Sequence, residues 1–397
     1  MEPIFTPEQL AEIKAYSLPY YIRAAVNPFI YVGFLALMLG PLNAPLYRFA
    51  QAGASWLDAR LAFLRRTPGL RTLLKALDMM WGESGWGTAL LFALYADISL
   101  KLVTAPSDFY FGYILEHRYG MSTYTPLAYV RDELKSLLAG IVIVSAMVLG
   151  LYGLARRLKR WWLVLGLPVA LLMLVASALD PYRSRAFFDQ TPLETGPLRT
   201  HLTELMARAD IPFSDVLVEK TSIASNRIQA YFAGQGPTRT IVLNDVLLRQ
   251  FTEAEVLAAV AHEAGHVNEP QWPARIASSL ALVAFLFALD RLFRLSAARG
   301  WFGTTTFADT RTQPLIPLLL YVVMTVSAPV SAAFSRERES EADRYALRLT
   351  KDPATFRQML VKAARLNKMD PEPPRWVVIK GLTHPPIGER IGAIPLP

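Results

Sequence analysis

Long apolar runs limit what this chain of 397 residues can fold into more than any other feature. Each run approaches the roughly 20 apolar residues that a helix needs to cross a bilayer. Three runs are the clearest, at 137–155, 161–179 and 314–334, and a fourth lies at 274–293. Two more are less clean, at 24–42 with Asn27 and Pro28, and at 88–105 with Asp97 and Lys101. Hydrophobic residues make up 53% of the chain and charged residues only 19%, a balance that excludes an ordinary soluble enzyme. The pattern predicts a multi-pass membrane protein, mainly α, in which a polytopic helix bundle has about six spans.

The net charge of +8 indicates a lipid bilayer as the partner and no nucleic acid. Three short basic loops flank the spans, at 48–75, 156–160 and 291–311. With six spans these loops lie on one side of the membrane, and the positive-inside rule makes that side cytoplasmic. The polar segments 181–270 and 335–397 are then expected on the extracytoplasmic side.

The order of polar and apolar segments divides the chain into two parts. Residues 1–180 are expected to form an N-terminal transmembrane bundle of four spans, and residues 181–397 a second domain that contains the last two spans. Residues 196–209 have helical composition. Strand composition follows in IPFSDVLVEK, QAYFAG and TIVLND, with turn-rich residues between the last two. The second domain is therefore expected to combine helices with a small sheet.

The sequence His262-Glu263-Ala264-Gly265-His266 carries the chemistry. Thr252 and Glu255 fit a capping box that would begin a helix just before it. On that helix the two histidines lie one turn apart on the same face, about 6 Å along the axis. Two imidazoles at this spacing can bind one Zn²⁺, and the glutamate between them is placed to accept a proton from water.

A hydrolytic zinc site needs three protein ligands and one open position. The chain has no cysteine, so the third ligand must be His, Asp or Glu. Among the acidic residues, Glu339 stands out because it begins Glu339-Ser340-Glu341-Ala342-Asp343 on a helix that follows a span. Glu341 is the alternative, and both residues are compatible with a solvated charged face.

In order, H-E-x-x-H at 262–266, E-x-x-A-D at 339–343 and H-P-P-x-x-E-R at 384–390 resemble the type I CAAX prenyl protease family of integral-membrane zinc metalloproteases. The segments 107–138 and 229–248 are also similar to that family. The resemblance covers roughly residues 90–395. It implies a small α+β zincin-type metalloprotease domain, split around the last two spans, with one Zn²⁺ per chain.

The resemblance also implies roles for individual residues. His262, His266 and Glu339 would bind zinc, Glu263 would be the general base, and Asp343 would orient a ligand imidazole. His384 would stabilise the oxyanion with Arg390 nearby, and the strand beginning Gln229-Ala230-Tyr231 would bind an extended substrate. Gln229 departs from the Asn that is usual in the family, although both side chains carry an amide.

The substrate is expected to be a peptide or protein that is prenylated or otherwise membrane-associated. In an organism without prenylated proteins, the chain would act like the HtpX-type quality-control proteases. An intramembrane site-2-type protease is disfavoured because H-E-x-x-H precedes a span, and because Leu289-Asp290 is followed by Arg291 rather than Gly. A transporter or membrane scaffold with a structural zinc is the alternative of another class, although such sites usually have four protein ligands.

Four further residues attract attention. Asp97 and Lys101 lie four apart on a span, where they either pair with each other or line an aqueous cavity. His117 is expected to be an interfacial residue and His201 a structural one.

Overall fold

The structure is a computed structural model that describes residues 5–60, 62, 66–81, 85–176, 189–267, 269–270 and 272–395. The N-terminal part contains α1 (Pro7–Leu39), α2 (Asn43–Arg60), α3 (Pro68–Trp81), α4 (Gly85–Phe109), α5 (Leu115–Arg118), α6 (Pro126–Arg157) and α7 (Trp161–Ala176). A π-helical turn, Tyr110–Ile114, joins α4 to α5. The C-terminal part contains β1 (Gln190–Pro192), α8 (Pro197–Arg208), β2 (Asp215–Glu219), β3 (Ala230–Ala233), β4 (Thr240–Asn244), α9 (Asp245–Gln250), α10 (Glu253–Val267), α11 (Trp272–Arg299), α12 (Leu315–Thr350), α13 (Pro353–Leu366), α14 (Arg375–Gly381) and α15 (Ile387–Gly392).

Within these described residues, five helical segments are long and apolar enough to cross a membrane: Pro7–Leu39, Gly85–Arg118, Pro126–Arg157, Trp272–Arg299 and Thr310–Thr350. Four of them contain an expected span, and Pro7–Leu39 overlaps the one expected at 24–42. The remaining expected span, 161–179, corresponds to the shorter apolar helix α7, and its residues 177–179 lie outside the described part. Large apolar side chains on these helices are exposed, as a lipid-facing surface requires; Phe29 is 79% exposed and Val326 is 72% exposed. The polytopic helix bundle is confirmed.

Aromatic packing and an ion-pair network around buried Asp290 connect the helices of the bundle. Trp161 on α7 is fully buried and donates a hydrogen bond from Nε1 to Asp290 on α11 at 2.9 Å. Arg294 reaches the same carboxylate with its Nε at 2.9 Å. Because Asp290 is fully paired here, between two spans, it is unavailable as the metal ligand that a site-2-type protease would need.

The polar segments predicted between the spans fold largely as expected. The helix expected at 196–209 is α8, and the three expected strands are β2, β3 and β4. Strand β1 was not predicted, because three residues are too few to show alternation. The capping box is confirmed: the Thr252 N–H donates to Glu255 at 2.8 Å, and the Glu255 N–H donates to Thr252 at 3.4 Å.

The four strands form one sheet in the order β1-β2-β4-β3. β2 pairs with β4 in parallel, whereas β1 and β3 pair antiparallel with their neighbours. β4 is buried along its whole length, and α8 and α10 contact the same apolar core. This arrangement leaves β3 as an edge strand beside α10, the helix that carries His262 and His266.

Helix α12 joins two segments that the sequence analysis treated separately. The last expected span and the charged segment after it form one helix of 36 residues without a break, although Pro329 lies inside it. At about 1.5 Å per residue, such a helix can carry side chains from the membrane to a site beyond it. Its polar end supplies Glu339 and Asp343.

Candidate active site

Helices α10 and α12 bring together three side chains that could hold a metal ion, two histidines and one glutamate. His262 and His266 lie on α10, and their ring centroids are 5.0 Å apart. Glu339 on α12 is buried; its Oε2 lies 3.4 Å from Nε2 of His262, and its Oε1 lies 3.4 Å from Nε2 of His266. One ligand atom from each of the three residues lies within 4.8 Å of the other two. Within the described residues, this is the group that can hold a metal ion.

The donor chemistry fits a cation at this point. Nδ1 of His262 lies 2.9 Å from the carboxylate of Asp343, and Nδ1 of His266 lies 2.8 Å from the carboxylate of Glu269. With the proton on Nδ1, each Nε2 presents a lone pair to Glu339. Glu339 Oε2 is buried without a hydrogen-bond partner in the structure. Lone pairs converging in a buried space repel one another unless a positive charge lies between them.

The pKa of His262 also indicates that this site favours a positive charge. Burial by itself would lower the pKa of this imidazole. Hydrogen bonding to Asp343 and Glu339 outweighs the burial and raises the pKa to about 9. The pocket therefore favours a positive charge at His262, which a bound cation can supply as well as a proton.

A close approach of the two helices sets the distances in this site. A Cβ atom at Gly265 would lie 2.7 Å from the Cα atom and 2.9 Å from the Cβ atom of Ala342. Only glycine allows α10 to pack this closely against α12. The contact lies next to His266 in the sequence of α10 and next to Asp343 in the sequence of α12.

Asp343 and Arg390 hold His262 from the Nδ1 side of its ring, opposite the Nε2 atom that faces Glu339. Arg390 on α15 is buried and donates from Nε and Nη2 to the two oxygens of Asp343, at 2.8 and 2.6 Å. This two-point geometry fixes the carboxylate that accepts from His262. Nη1 of Arg390 also lies 3.6 Å from Oε2 of Glu339. The structure thus places Arg390 beside the metal-binding residues, with its guanidinium group engaged by Asp343.

Glu263 is half-buried between the two histidines and lines a cleft with His266. Burial raises the pKa of its carboxyl group, and the imidazoles of His262 and His266 oppose this rise. A carboxylate with a raised pKa is a better proton acceptor than an ordinary one, as a general base requires.

His384 approaches from the C-terminal segment that precedes α15. Its Nε2 lies 3.3 Å from Oε1 of Glu339, and Thr383 contacts its Nδ1 at 3.1 Å. Half of the side chain, 51%, is exposed. His384 therefore borders the metal-binding group from the open side, where a substrate would enter.

The predicted substrate-binding residues lie at the edge of the sheet. A cleft of about 490 Å³ is bounded by Tyr231, Phe232, Glu263 and His266, among other residues. The carbonyl oxygen of Gln229 accepts a hydrogen bond from the backbone N–H of Asn244 at 3.0 Å. By the alternation of an antiparallel ladder, the next outward-facing backbone groups are those of Ala230 and Phe232. The Tyr231 hydroxyl is held by Glu219 at 2.8 Å.

Glu269 is a site residue that the sequence analysis missed. It follows His266 by three residues, in the connection between α10 and α11, and its side chain is only 12% exposed. An acidic residue three positions after a ligand histidine is a signal that could have identified it.

The other residues singled out in the sequence lie away from this group. Glu341 is exposed, in contrast to the buried Glu339. Both ring nitrogens of His117 contact backbone carbonyls, of Tyr113 at 2.7 Å and Tyr124 at 2.8 Å, and His201 pairs with Glu253. Asp97 is half-buried and Lys101 is exposed; the cavity that they were expected to line stays a prediction.

Comparison with known proteins agrees with this geometry. Residues 192–395 match the model of peptidase family M48, and residues 29–190 match the model described as CAAX prenyl protease N-terminal, five membrane helices. The uncharacterized metalloprotease YhfN of Bacillus subtilis is 30% identical over 76% of this chain and 71% of its own. CAAX prenyl protease 1 of Saccharomyces cerevisiae is 25% identical over 74% of this chain and 69% of its own.

A solved structure also shares the fold. The crystal structure of S. mikatae Ste24p superimposes with a TM-score of 0.66 at 20% identity, covering 98% of this chain and 99% of that one. The similarity therefore extends over both the helix bundle and the domain with the sheet.

Proposed function

The chain belongs to peptidase family M48 as an integral-membrane metalloprotease, and we propose that it hydrolyses peptide bonds with one Zn²⁺ held by His262, His266 and Glu339. The observation that carries the proposal is the convergence of these three side chains, with a buried oxygen of Glu339, Oε2, that has no hydrogen-bond partner among the described residues. Three protein ligands leave a position open, as a hydrolytic site requires and a structural zinc site does not.

The roles of the remaining residues follow from their positions. A zinc ion at this point would polarise the scissile carbonyl and acidify the attacking water. Glu263 accepts the proton from that water and passes it to the leaving nitrogen. His384 donates a hydrogen bond to the oxygen of the carbonyl as negative charge develops on it. Asp343 keeps the proton of His262 on Nδ1, and Arg390 holds Asp343 in place.

The substrate binds as an extended peptide along β3. This strand lies at the edge of the sheet, and the backbone groups of Ala230 and Phe232 that face away from β4 have no strand partner among the described residues, so another strand can pair with them. The cleft runs from this edge to Glu263 and His266. An added strand therefore brings its backbone carbonyls past the catalytic residues.

The preferred substrate class is a prenylated C-terminal peptide, as the name of the yeast relative indicates for that protein. The match of residues 29–190 to the N-terminal model of CAAX prenyl proteases supports this class over general quality-control proteolysis of the HtpX type. Cleavage of unmodified membrane-associated proteins is the second candidate. The same zinc chemistry serves both.

The active site faces the extracytoplasmic side of a bacterial inner membrane. The three basic loops are expected in the cytoplasm. Two of them are in contact at one end of the bundle, where Arg156 donates to the carbonyl of Ala308 at 3.2 Å. At the same end Asn43, which precedes the loop at 48–75, donates to the carbonyl of Arg311 at 2.9 Å. From this end α12 runs from Leu315 to Glu339, about 36 Å at 1.5 Å per residue. That distance exceeds the hydrocarbon thickness of a bilayer.

The proposed function is tested by cleavage of a peptide library, half of it farnesylated, with detergent-purified wild type and Glu263→Gln. We expect cleavage by the wild type, its loss in Glu263→Gln with zinc retained, and preference for farnesylated peptides. Equal cleavage of both halves would favour the quality-control type. Cleavage that survives in Glu263→Gln would contradict the assigned base, and zinc binding without hydrolysis of either half would favour a scaffold.

A further inference from the structure

Two imidazole–carboxylate–arginine arrangements flank the metal-binding group. In the first, His262 contacts Asp343 at 2.9 Å, and Arg390 holds that carboxylate. In the second, His266 contacts Glu269 at 2.8 Å, and Nη1 of Arg338 lies 3.5 Å from the other oxygen of Glu269. The two arrangements have the same chemistry although their carboxylates come from different elements.

The position of Glu269 makes its contact with His266 specific. The residue lies beyond the end of α10, in the short connection to α11, and its carboxylate turns back to the helix it follows. Arg338 lies on α12 immediately before Glu339. The second arrangement therefore connects the end of the histidine-bearing helix to the helix that supplies the third ligand.

We propose that Glu269 is a positioning residue that holds His266 with its proton on Nδ1 and its Nε2 lone pair toward the metal. The inference rests on the proposed function, because it needs His266 to be a zinc ligand. A carboxylate on the far nitrogen of a ligand imidazole fixes the orientation of the ring and raises its basicity, and loss of such a partner weakens metal binding about 10- to 100-fold.

The formal charges are consistent with this role. Glu263, Glu269, Glu339 and Asp343 provide four carboxylates around the two histidines, and Arg338 and Arg390 provide two guanidinium groups. Two negative charges remain, which one divalent cation neutralises. Without Glu269, the group would have one negative charge fewer to attract the cation.

The alternative role for Glu269 is purely structural, as an anchor for the connection between α10 and α11. The two roles differ in what they change. An anchor contributes to the stability of the metal-free protein, whereas a positioning residue contributes to zinc affinity. Gln at this position keeps an oxygen that accepts from Nδ1 and removes the charge, and Ala removes both.

The experiment measures zinc affinity by competition with a chromogenic chelator, together with the melting temperature of the metal-free protein, for the full-length chain in detergent. Glu269→Gln and Glu269→Ala are compared with Glu341→Gln, which changes an exposed carboxylate on α12. We expect zinc affinity to fall about 10-fold in Glu269→Gln and up to about 100-fold in Glu269→Ala, with Glu341→Gln like the wild type. The melting temperature of the metal-free chain stays unchanged in Glu269→Gln, which keeps an acceptor for Nδ1 of His266.

Unchanged zinc affinity in Glu269→Ala would overturn the inference, whether or not the melting temperature falls. The wild type separates this result from failure of the proposed function. If the wild type binds one zinc and the variants bind it equally well, only the role of Glu269 fails. If the wild type binds no zinc, the proposed function fails and the inference fails with it.

Discussion

Gly265 on α10 lies directly against Ala342 on α12, so closely that a Cβ atom at Gly265 would be 2.7 Å from the Cα of Ala342. The contact holds together the two helices that carry the proposed zinc ligands. Gly265 precedes His266, and Ala342 lies three residues after Glu339. The spacing of these two helices thus determines whether the three side chains can reach one ion.

Replacement of Gly265 by Ala tests this spacing. The added methyl group would collide with the backbone of Ala342, which cannot rotate away as a flexible side chain could. Helices α10 and α12 must therefore separate, and this overpacking costs about 1–3 kcal/mol. We expect Gly265→Ala to lower zinc affinity and activity together by at least about 10-fold. Gly140→Ala on α6, where no atom lies within 4 Å of the added Cβ, is the control. Equal zinc affinity in the two variants would show that the helix spacing is not critical.

Removal of the His384 imidazole tests the oxyanion donor. His384 borders the site without belonging to the three residues that can share an ion. We expect His384→Ala to lower kcat about 100- to 1,000-fold with zinc content unchanged and KM little affected. The control is His201→Ala, which removes an exposed imidazole paired with Glu253 and should leave kcat unchanged. Loss of zinc from His384→Ala would instead make His384 a ligand.

Substitution of Arg390 by Lys tests the support behind His262. A lysine retains the charge but cannot bond both oxygens of Asp343 as Arg390 does. A buried hydrogen bond to a charged group contributes about 1.5–3 kcal/mol, so we expect Arg390→Lys to lower both thermal stability and zinc affinity. Arg344→Lys, at an exposed ion pair with Glu337, should change neither. A normal melting temperature and normal zinc binding in Arg390→Lys would assign the arginine to another role.

The side of the membrane can be tested because the chain has no cysteine. A cysteine at exposed Glu204 reports on the domain with the sheet, and one at exposed Lys159 reports on a basic loop. We expect an impermeant thiol reagent to label Glu204→Cys in intact cells and to label Lys159→Cys only after lysis. The reverse pattern would place the active site in the cytoplasm.

Much of the fold was accessible from the sequence because its signals are local. A membrane span needs only a long apolar run, and the histidine helix is marked by Thr252 and Glu255 at its start. The pair Pro68-Gly69 is typical of a break within a helix. In the structure Pro68 begins α3 instead, since proline fits the first helical position, where no N–H partner is needed.

Features that depend on contacts between distant segments were not accessible. The sequence does not show that the backbone N–H and carbonyl of Gln229 both bond to Asn244. Nor does it show that the carboxylate of Glu269 contacts His266. The third ligand was a choice between Glu339 and Glu341, and burial differs between them only once α12 is packed against α10. Residue spacing along a helix restricts such choices, but tertiary packing decides them.

The central claim is that a zinc ion held by His262, His266 and Glu339 carries out the hydrolysis. It is tested most directly by metal analysis of the purified chain together with peptide hydrolysis, before and after chelation, for wild type, Glu339→Gln and Glu341→Gln. We expect one zinc per chain in wild type and Glu341→Gln, with activity lost on chelation and restored by zinc, and neither zinc nor activity in Glu339→Gln. Full hydrolysis by a chain that contains no metal, or by Glu339→Gln, would contradict the account.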